Sequence, residues 1–249
     1  MSVDEATKSK FAPQMSGQYR TVLQGLHRNL SPKTYFEIGT FGGATLKLAS
    51  CASIAVDPHF QVTTDVVEKK PVCHFFQTTS DAFFRENNVT DIFKAPIDIA
   101  FLDGMHLYEF LFRDFINTEK HCRKNSIIIL HDCLPMDDVM TRRKRSDSNE
   151  GSDYPGYWTG DVWKVVSILR EFRPDLRMFA TNAAPTGLIF LTNLDPTSSL
   201  LEDRYQEIVD KYRHTTLTEY GLERYWTEFK MIPTTSFASI EGVSEYFHL

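Results

Sequence analysis

The sequence predicts an α/β fold with a doubly wound, mostly parallel seven-stranded sheet, an antiparallel last strand, and helical additions at both ends. Short apolar runs recur along the chain, and most are continuous rather than alternating, as expected for strands buried on both faces. The early runs are separated by helix-length stretches, which is typical of βαβ units in a parallel sheet. The last two runs flank only the turn-rich "TNAAPT", so they are predicted to pair antiparallel.

The individual elements follow from these runs. The predicted strands are residues 34–38, 53–56, 73–77, 97–102, 126–130, 176–180 and 187–191. A helix is predicted near residues 13–30, where Val22, Leu23, Leu26 and Leu30 can share a face. This order of elements indicates a Rossmann-like domain over residues 1–195, including the N-terminal helix.

Residues 196–249 are predicted to form a helical C-terminal extension packed on the same domain. The stretch "SSLLEDRYQEIVDKYRH" (198–214) suits a helix, and the tail after it is rich in aromatic residues: Tyr220, Tyr225, Trp226 and Phe229. The polar segment at 140–160 has the length and composition of a mobile loop that could close over a site. A homo-oligomer could form through the C-terminal extension.

Composition narrows the classes of protein. The chain has 249 residues, of which 42% are hydrophobic and 24% charged, with a net charge of −6. This acidic balance does not favour a nucleic-acid or membrane-surface partner. No apolar run is long enough for a membrane span, and "MSVDEATKSK" lacks the apolar core of a signal peptide. The four cysteines show no close pairing, so we expect reduced thiols in a cytoplasmic protein.

The stretch "FEIGTFGGATL" (36–46) follows the first predicted strand and is predicted to open a helix. Its glycines allow a ligand to approach the backbone, and a helix start offers free N–H groups. A dinucleotide fingerprint would not need the acid Glu37 before Gly39, whereas a ligand with a positive charge would favour it. At the end of the second strand, Asp57 is placed to accept hydrogen bonds from ribose hydroxyls. Together these residues predict a nucleoside with a cationic, amino-acid-like tail, S-adenosylmethionine.

At this point the sequence resembles the class I S-adenosylmethionine-dependent methyltransferases. "FEIGTFGG" and "IAVD" resemble their first two motifs, and "FQTTSDAFF" the third-strand segment that contacts adenine. "IDIAFLDGMHLYEFLFRDF", "IIILHDC" and "GDVWKVVSIL" resemble segments of a narrower group, the macrocin O-methyltransferase and cephalosporin-hydroxylase-like enzymes. The resemblance covers roughly residues 30–192. It implies cofactor contacts by Glu37, Gly39, Thr40, Gly43, Asp57, Ser80, Asp81 and Asp103.

Four ionisable residues follow two neighbouring strands. Asp103 ends the fourth strand, with His106 three residues later, and His131 and Asp132 end the fifth. The carboxyl ends of adjacent parallel strands meet at one edge of a sheet, so these side chains are predicted to share one crevice. Four such groups at two strand ends indicate a functional site rather than isolated core histidines.

Two interpretations of this crevice remain open. In the first, Asp103 and Asp132, with His131, bind a divalent metal such as magnesium or manganese, as the resemblance to catechol-type and macrocin-type O-methyltransferases implies. The His131-Asp132 pair departs from that pattern, because magnesium prefers oxygen ligands and imidazole suits manganese, iron or zinc better. In the second, no metal binds and His106 or His131 is the general base, with Asp103 in the same catalytic set.

The predicted function is therefore methyl transfer from S-adenosylmethionine to a hydroxyl of a small molecule, such as a sugar, polyol or phenol. An N-methyltransferase or a peptide methyltransferase is the alternative among methyltransferases. A catalytically inactive nucleoside-binding module is the alternative outside enzymes. A nicotinamide-dependent oxidoreductase is disfavoured by Glu37 before the glycines.

Overall fold

A computed structural model of the chain describes residues 15–148 and 150–249, and within them one mixed sheet organises the fold. Its strands are β1 (Thr34–Ile38), β2 (Ala52–Val56), β3 (Cys73–Phe76), β4 (Ile97–Leu102), β5 (Cys122–His131), β6 (Arg177–Thr181) and β7 (Leu188–Thr192). Their order is β3-β2-β1-β4-β5-β7-β6. The pairs among β1 to β5 are parallel, and β7 is antiparallel to both β5 and β6. The predicted fold class is confirmed.

Helices cover the sheet. They are α1 (Tyr19–Leu30), α2 (Ser80–Glu86), α3 (Val89–Phe93), α4 (Tyr108–Glu119), α5 (Trp163–Phe172), α6 (Leu200–Asp203), α7 (Tyr205–Tyr212), α8 (Leu217–Tyr220), α9 (Leu222–Thr227) and α10 (Ile240–Ser244). Short 3₁₀ turns lie at Leu46–Leu48, Val139–Thr141, Arg145–Asp147 and Thr234–Ala238. The first residues of the helix predicted near 13–30 lie outside the described part of the chain.

Two helix predictions were wrong in detail. The glycine-rich stretch after β1 does not open an α-helix but runs through turns into the 3₁₀ turn at Leu46–Leu48. The positive φ angles of Gly39, Phe41 and Gly43 explain this, because a right-handed helix needs negative φ. The helix predicted at 198–214 is divided into α6 and α7 by Arg204, whose ψ of 11° departs from helical geometry.

Successive side chains of β1 point to opposite faces of the sheet and enter two separate layers of the core. Phe36 and Ile38 belong to the cluster that includes residues of α4 and α5, whereas Tyr35 belongs to the cluster with α1 and the end of the chain. All five residues of β1 and all six of β4 are buried. Continuous burial on both faces is the physical reason that the sequence shows unbroken apolar runs at these strands.

The C-terminal segment packs against the sheet core. Tyr225 is fully buried and donates from its hydroxyl to the carbonyl of Cys133 at 2.6 Å, and the indole of Trp226 donates to the carbonyl of Pro135 at 2.9 Å. Residues 230–232 bond to Ala180 of the edge strand β6 through backbone groups, which protects that edge. These contacts agree with a packed extension, while its boundary at residue 196 and any homo-oligomer through it stay predictions.

Two further expectations concern the whole described chain. The four cysteines are free thiols. Within residues 15–148 and 150–249, no helix has the length and apolar character that crossing a membrane requires.

Candidate cofactor cavity and active site

The glycine-rich turn brings the ends of β1 and β4 into direct contact. Gly39 has φ 86°, and a Cβ added to it would lie 1.9 Å from the carbonyl oxygen of Asp103. Gly43 has φ 79°, and a Cβ there would lie 2.5 Å from a methyl group of Val66. Both positions therefore require glycine, for conformation and for space.

A cavity of about 620 Å³ opens beside this turn, at the carboxyl ends of the parallel strands. Its lining includes five residues predicted to contact the cofactor: Gly39, Asp57, Ser80, Asp81 and Asp103. The other three predicted contacts, Glu37, Thr40 and Gly43, are buried and do not line it. The cavity occupies the position where open α/β sheets bind ligands.

Asp57 organises the turn as well as facing the cavity. One carboxylate oxygen accepts from the backbone N–H of Phe41 and the other from that of His59, both at 2.7 Å. A carboxylate has further lone pairs, so these bonds leave room for ribose hydroxyls. The role of Asp57 toward ribose stays a prediction.

Replacement of Asp57 should therefore weaken cofactor binding by two routes. We expect Asp57→Ala to lose any ribose bonds, each worth about 1.5–3 kcal/mol to a charged acceptor, and to loosen the turn at Phe41. Calorimetry with S-adenosylhomocysteine measures the affinity. Asp65→Ala is the matched control, because Asp65 also accepts from two backbone N–H groups, of Val67 and Glu68, away from this cavity. Equal affinities of Asp57→Ala and wild type would remove Asp57 from the site.

Glu37 lies behind the turn rather than in the cavity. It is 0% exposed, and the hydroxyl of Tyr35 donates to its Oε2 at 2.5 Å. Burial raises the pKa of Glu37 to about 7, although the hydrogen bond from Tyr35 acts in the opposite direction. This placement favours the orienting role predicted for Glu37 over direct contact with the ammonium group.

The pKa of Glu37 gives stability a defined dependence on pH. The carboxyl of Glu37 binds a proton more tightly in the folded state than in the unfolded state. Its contribution to the free energy of unfolding is therefore fully present below pH 4.5 and is lost as the pH rises through about 7. Glu37→Gln should remove this dependence and leave the domain folded. The difference in free energy of unfolding between the variant and wild type should shift in favour of the variant by up to about 3 kcal/mol between pH 5 and pH 8.

Urea unfolding at both pH values, with Glu68→Gln as an exposed control, measures the difference. Binding of S-adenosylhomocysteine by the folded variant then reports whether Glu37 orients the turn. A variant that unfolds at every pH would instead assign Glu37 a purely structural role.

The four ionisable residues predicted to meet do so at the ends of β4 and β5. His131 Nδ1 lies 3.1 Å from Asp103 Oδ1 and 3.3 Å from Asp132 Oδ2. His106 Nε2 lies 3.1 Å from Asp132 Oδ2 and 3.7 Å from Asp103 Oδ1. Two imidazole nitrogens and two carboxylate oxygens therefore converge on one point.

The charges of this cluster are strongly coupled. Burial disfavours both imidazolium ions, but the carboxylates of Asp132 and Asp103 outweigh it, raising the pKa of His106 to about 9 and that of His131 well above its usual range. Burial likewise disfavours the carboxylate of Asp132, yet the two histidines hold its pKa well below the usual range. Without another cation, both imidazoles and the carboxylate of Asp132 are therefore charged at neutral pH.

Three residues that the sequence analysis did not identify hold this cluster in place. The carbonyl oxygen of Trp158 lies 2.9 Å from His106 Nδ1, and its indole stacks on the same imidazole with centroids 4.9 Å apart. The hydroxyl of Thr186 donates to Asp132 Oδ1. The centroid of the Tyr19 ring lies 4.5 Å from the centroid of the His131 imidazole. They come from the loop, the β6–β7 connection and α1, where the sequence offered no motif.

A second cavity, of about 480 Å³, adjoins the first at this cluster. Gly104, Met105, His106 and Arg145 line both cavities. The remaining lining residues of the second cavity are His131, Asp132, Gly156, Tyr157, Trp158, Pro185 and Thr186. Two molecules could therefore bind side by side, with the ionisable cluster between them.

The loop at 140–160 forms one wall of the second cavity. The guanidinium of Arg143 forms ion pairs with the carboxylates of Asp161 at 2.6 Å and Glu109 at 2.9 Å, and these pairs attach the loop to the rest of the domain. The indole N–H of Trp158 donates to the carbonyl of Arg142 at 2.6 Å. Mobility of the loop and closure on a ligand stay predictions.

Comparison with known proteins agrees with this geometry. Residues 36–133 match a family model described as a methyltransferase domain, which runs from β1 through the glycine turn to the end of the ionisable cluster. No protein with curated annotation matches the chain.

Solved structures share the fold. A caffeoyl-CoA O-methyltransferase-like protein of Staphylococcus aureus is 14% identical with a TM-score of 0.51, over 73% of this chain and 86% of that one. A methyltransferase of Podospora anserina with bound S-adenosylhomocysteine is 13% identical with a TM-score of 0.50, over 73% and 80% of the two chains.

Four observations agree with a methyltransferase domain: the cofactor motifs, the sheet order, the cavity at the strand ends and the match to the family model. Membership in the narrower macrocin and cephalosporin-hydroxylase-like group stays a prediction. The match of residues 36–133 to a methyltransferase domain agrees with the predicted class I S-adenosylmethionine-dependent methyltransferase, and the geometry of the cavity is consistent with S-adenosylmethionine as its cofactor.

Proposed function

We propose that this methyltransferase transfers the methyl group to a hydroxyl oxygen of a small molecule, such as a sugar, polyol or phenol, that binds in the second cavity. The observation that carries the proposal is the shared wall between the two cavities at the ionisable cluster. Methyl transfer is an in-line displacement, so the acceptor oxygen must lie directly opposite the sulfonium. A volume of about 480 Å³ suits a small-molecule ligand.

The cluster also fits a divalent cation. Asp103, His131 and Asp132 each offer a ligand atom, and these atoms lie within 4.8 Å of one another. With its Nδ1–H donated to the carbonyl of Trp158, a neutral His106 directs its Nε2 lone pair at Asp132. Two acceptors 3.1 Å apart repel unless a proton or a cation lies between them. The arrangement of these lone pairs therefore favours a positive charge, either a proton or a cation, at this point.

We assign Asp103, Asp132 and His131 as the residues that would hold the cation, as the sequence predicted. A mixed set of carboxylate and imidazole ligands suits manganese, iron or zinc better than magnesium. When bound, such a cation would lower the pKa of the acceptor hydroxyl and fix its orientation. The carbonyl of Trp158 and the hydroxyl of Thr186 orient His106 and Asp132 from outside the cluster.

The alternative in which His106 is a general base has less support. Its pKa of about 9 means that the imidazole already carries a proton at neutral pH, and a protonated imidazole cannot accept one from a hydroxyl. His131 has the same difficulty, because its pKa is also raised. The pKa directions therefore disfavour a histidine base, and a cation would have to displace the proton of His131 to bind there.

Methyl transfer from S-adenosylmethionine with an isotopically labelled methyl group tests the proposal. We expect label in phenols, polyols or sugars, as an ether that resists alkali, and no label in matched amines in which nitrogen replaces the hydroxyl. Label found only in amines or peptides would establish the alternative N- or peptide methyltransferase. Tight cofactor binding without transfer to either class would indicate the inactive binding module.

A further inference from the structure

We propose that Asp114 recognises the exocyclic amine of the cofactor's adenine and so determines its specificity for an adenine nucleoside. Asp114 lies on α4, within the stretch "IDIAFLDGMHLYEFLFRDF", and was not among the predicted site residues. The proposal depends on S-adenosylmethionine being the cofactor, with its methyl group toward the second cavity and its ribose at Asp57, and it does not depend on which acceptor binds or on a metal.

The two ends of the cofactor cavity are distinct. The sulfonium methyl must lie where the cavity meets the second cavity, at Gly104, Met105 and His106. Away from that junction, the lining includes Thr79, Ser80 and Asp81 at the start of α2, and Phe110 and Asp114 on α4. With ribose at Asp57 between the two ends, the adenine ring falls beside α2 and α4.

Asp114 is the buried acid at this end. It is only 2% exposed although it lines the cavity. A Cβ added to Gly104 would lie 3.5 Å from Asp114 Oδ2, so this carboxyl reaches the turn after β4. The hydroxyl of Ser80, which lines the same cavity, lowers the pKa of this carboxyl and so lies near it, at the turn after β3. Its carboxyl thus connects both loops that would flank adenine.

Within the part of the chain that the structure describes, no ion pair compensates this buried carboxyl. The neighbouring Arg113 is committed to both oxygens of Asp81 and to the hydroxyl of Tyr205. A buried acid without a cationic partner is costly unless a ligand supplies hydrogen bonds. An adenine amine supplies an N–H donor, and either protonation form of a carboxyl keeps an oxygen that accepts it.

The chemistry of the group is consistent with this role. Burial raises the pKa of Asp114 to about 7, so near neutral pH the carboxyl is often uncharged. A neutral carboxyl can donate to a ring nitrogen while it accepts from the amine, as an amide side chain does with adenine.

Asp81, the acid predicted from the motif, is less suited to this contact. Arg113 binds its two oxygens at 2.8 and 2.7 Å, and its side chain is 40% exposed. Asp81 therefore serves as the control acid at the same end of the cavity.

Calorimetry with two ligands tests the proposal on the full chain. The ligands are S-adenosylhomocysteine and its 6-deamino analogue, in which purine replaces adenine. We expect wild type to prefer the amine-bearing ligand by about tenfold, the value of one good hydrogen bond. Asp114→Leu should bind both ligands alike. Asp114→Asn, whose amide oxygen still accepts, and Asp81→Asn should keep the preference.

The ratio of affinities separates recognition from a structural role, because a purely structural residue would change both affinities by the same factor. A preference unchanged in Asp114→Leu, or absent from wild type, would overturn the proposal. If Asp114→Leu does not fold, Asp114→Ser serves instead, since its shorter side chain is expected to lose the preference in the same way.

Discussion

Chelation of divalent cations should abolish methyl transfer, and Asp132→Asn should abolish it beyond rescue by added metal. Asp132 Oδ2 faces both histidines, and its Oδ1 accepts from Thr186. Asparagine keeps the acceptor for Thr186 and tolerates the φ of 57° at this position, so the variant should fold. It removes the negative charge that the cation needs, and we expect a loss of at least about 100-fold in turnover.

The measurement is turnover in chelator, followed by restoration with single metals. Restoration by manganese or iron in preference to magnesium would place the imidazole of His131 among the ligands. Asp138→Asn is the matched control, because Asp138 lies six residues further on and is exposed. It should retain both activity and metal response.

Full turnover in chelator would contradict the metal interpretation. A histidine base would then have to operate despite its raised pKa, and His106→Ala should cost about 10²–10⁴-fold. Full activity of that variant in chelator would leave His131 as the remaining candidate.

Gly39→Ala should nearly abolish cofactor binding. The new Cβ would meet the carbonyl oxygen of Asp103 at 1.9 Å, and alanine disfavours the φ of 86° at this position. The ends of β1 and β4 would have to separate, which deforms the cavity wall and displaces Asp103. We expect at least about 100-fold weaker binding of S-adenosylhomocysteine and a melting temperature lower by several degrees, in line with strain of about 1–3 kcal/mol.

Gly42→Ala is the control within the same turn. A Cβ at Gly42 meets no atom within 4 Å, so this variant should lie within about 0.5 kcal/mol of wild-type stability and bind normally. Equal behaviour of the two variants would show that the turn accommodates a side chain at Gly39 and that the close approach to Asp103 is not needed.

The sequence alone determined the strands and the meeting point of the site. Strands such as β1 and β4 are buried on both faces, so their apolar runs are visible without tertiary information. The start of β5 was missed because residues 123–125 are polar and exposed, which interrupts the apolar run. Asp103, His106, His131 and Asp132 could be placed together because adjacent parallel strands end at one edge.

Tertiary structure decided the roles around that point. The strand period of two places Glu37 on the same face as Tyr35, but only the packed structure shows that this face lies behind the turn, toward α1, and not in the cavity. Trp158, Thr186 and Tyr19 reach the cluster from segments far apart in sequence, and Asp114 reaches the cofactor cavity from a helix that otherwise packs in the core. Such contacts depend on how loops and helices dock, and the local pattern of residues carries no signal for that docking.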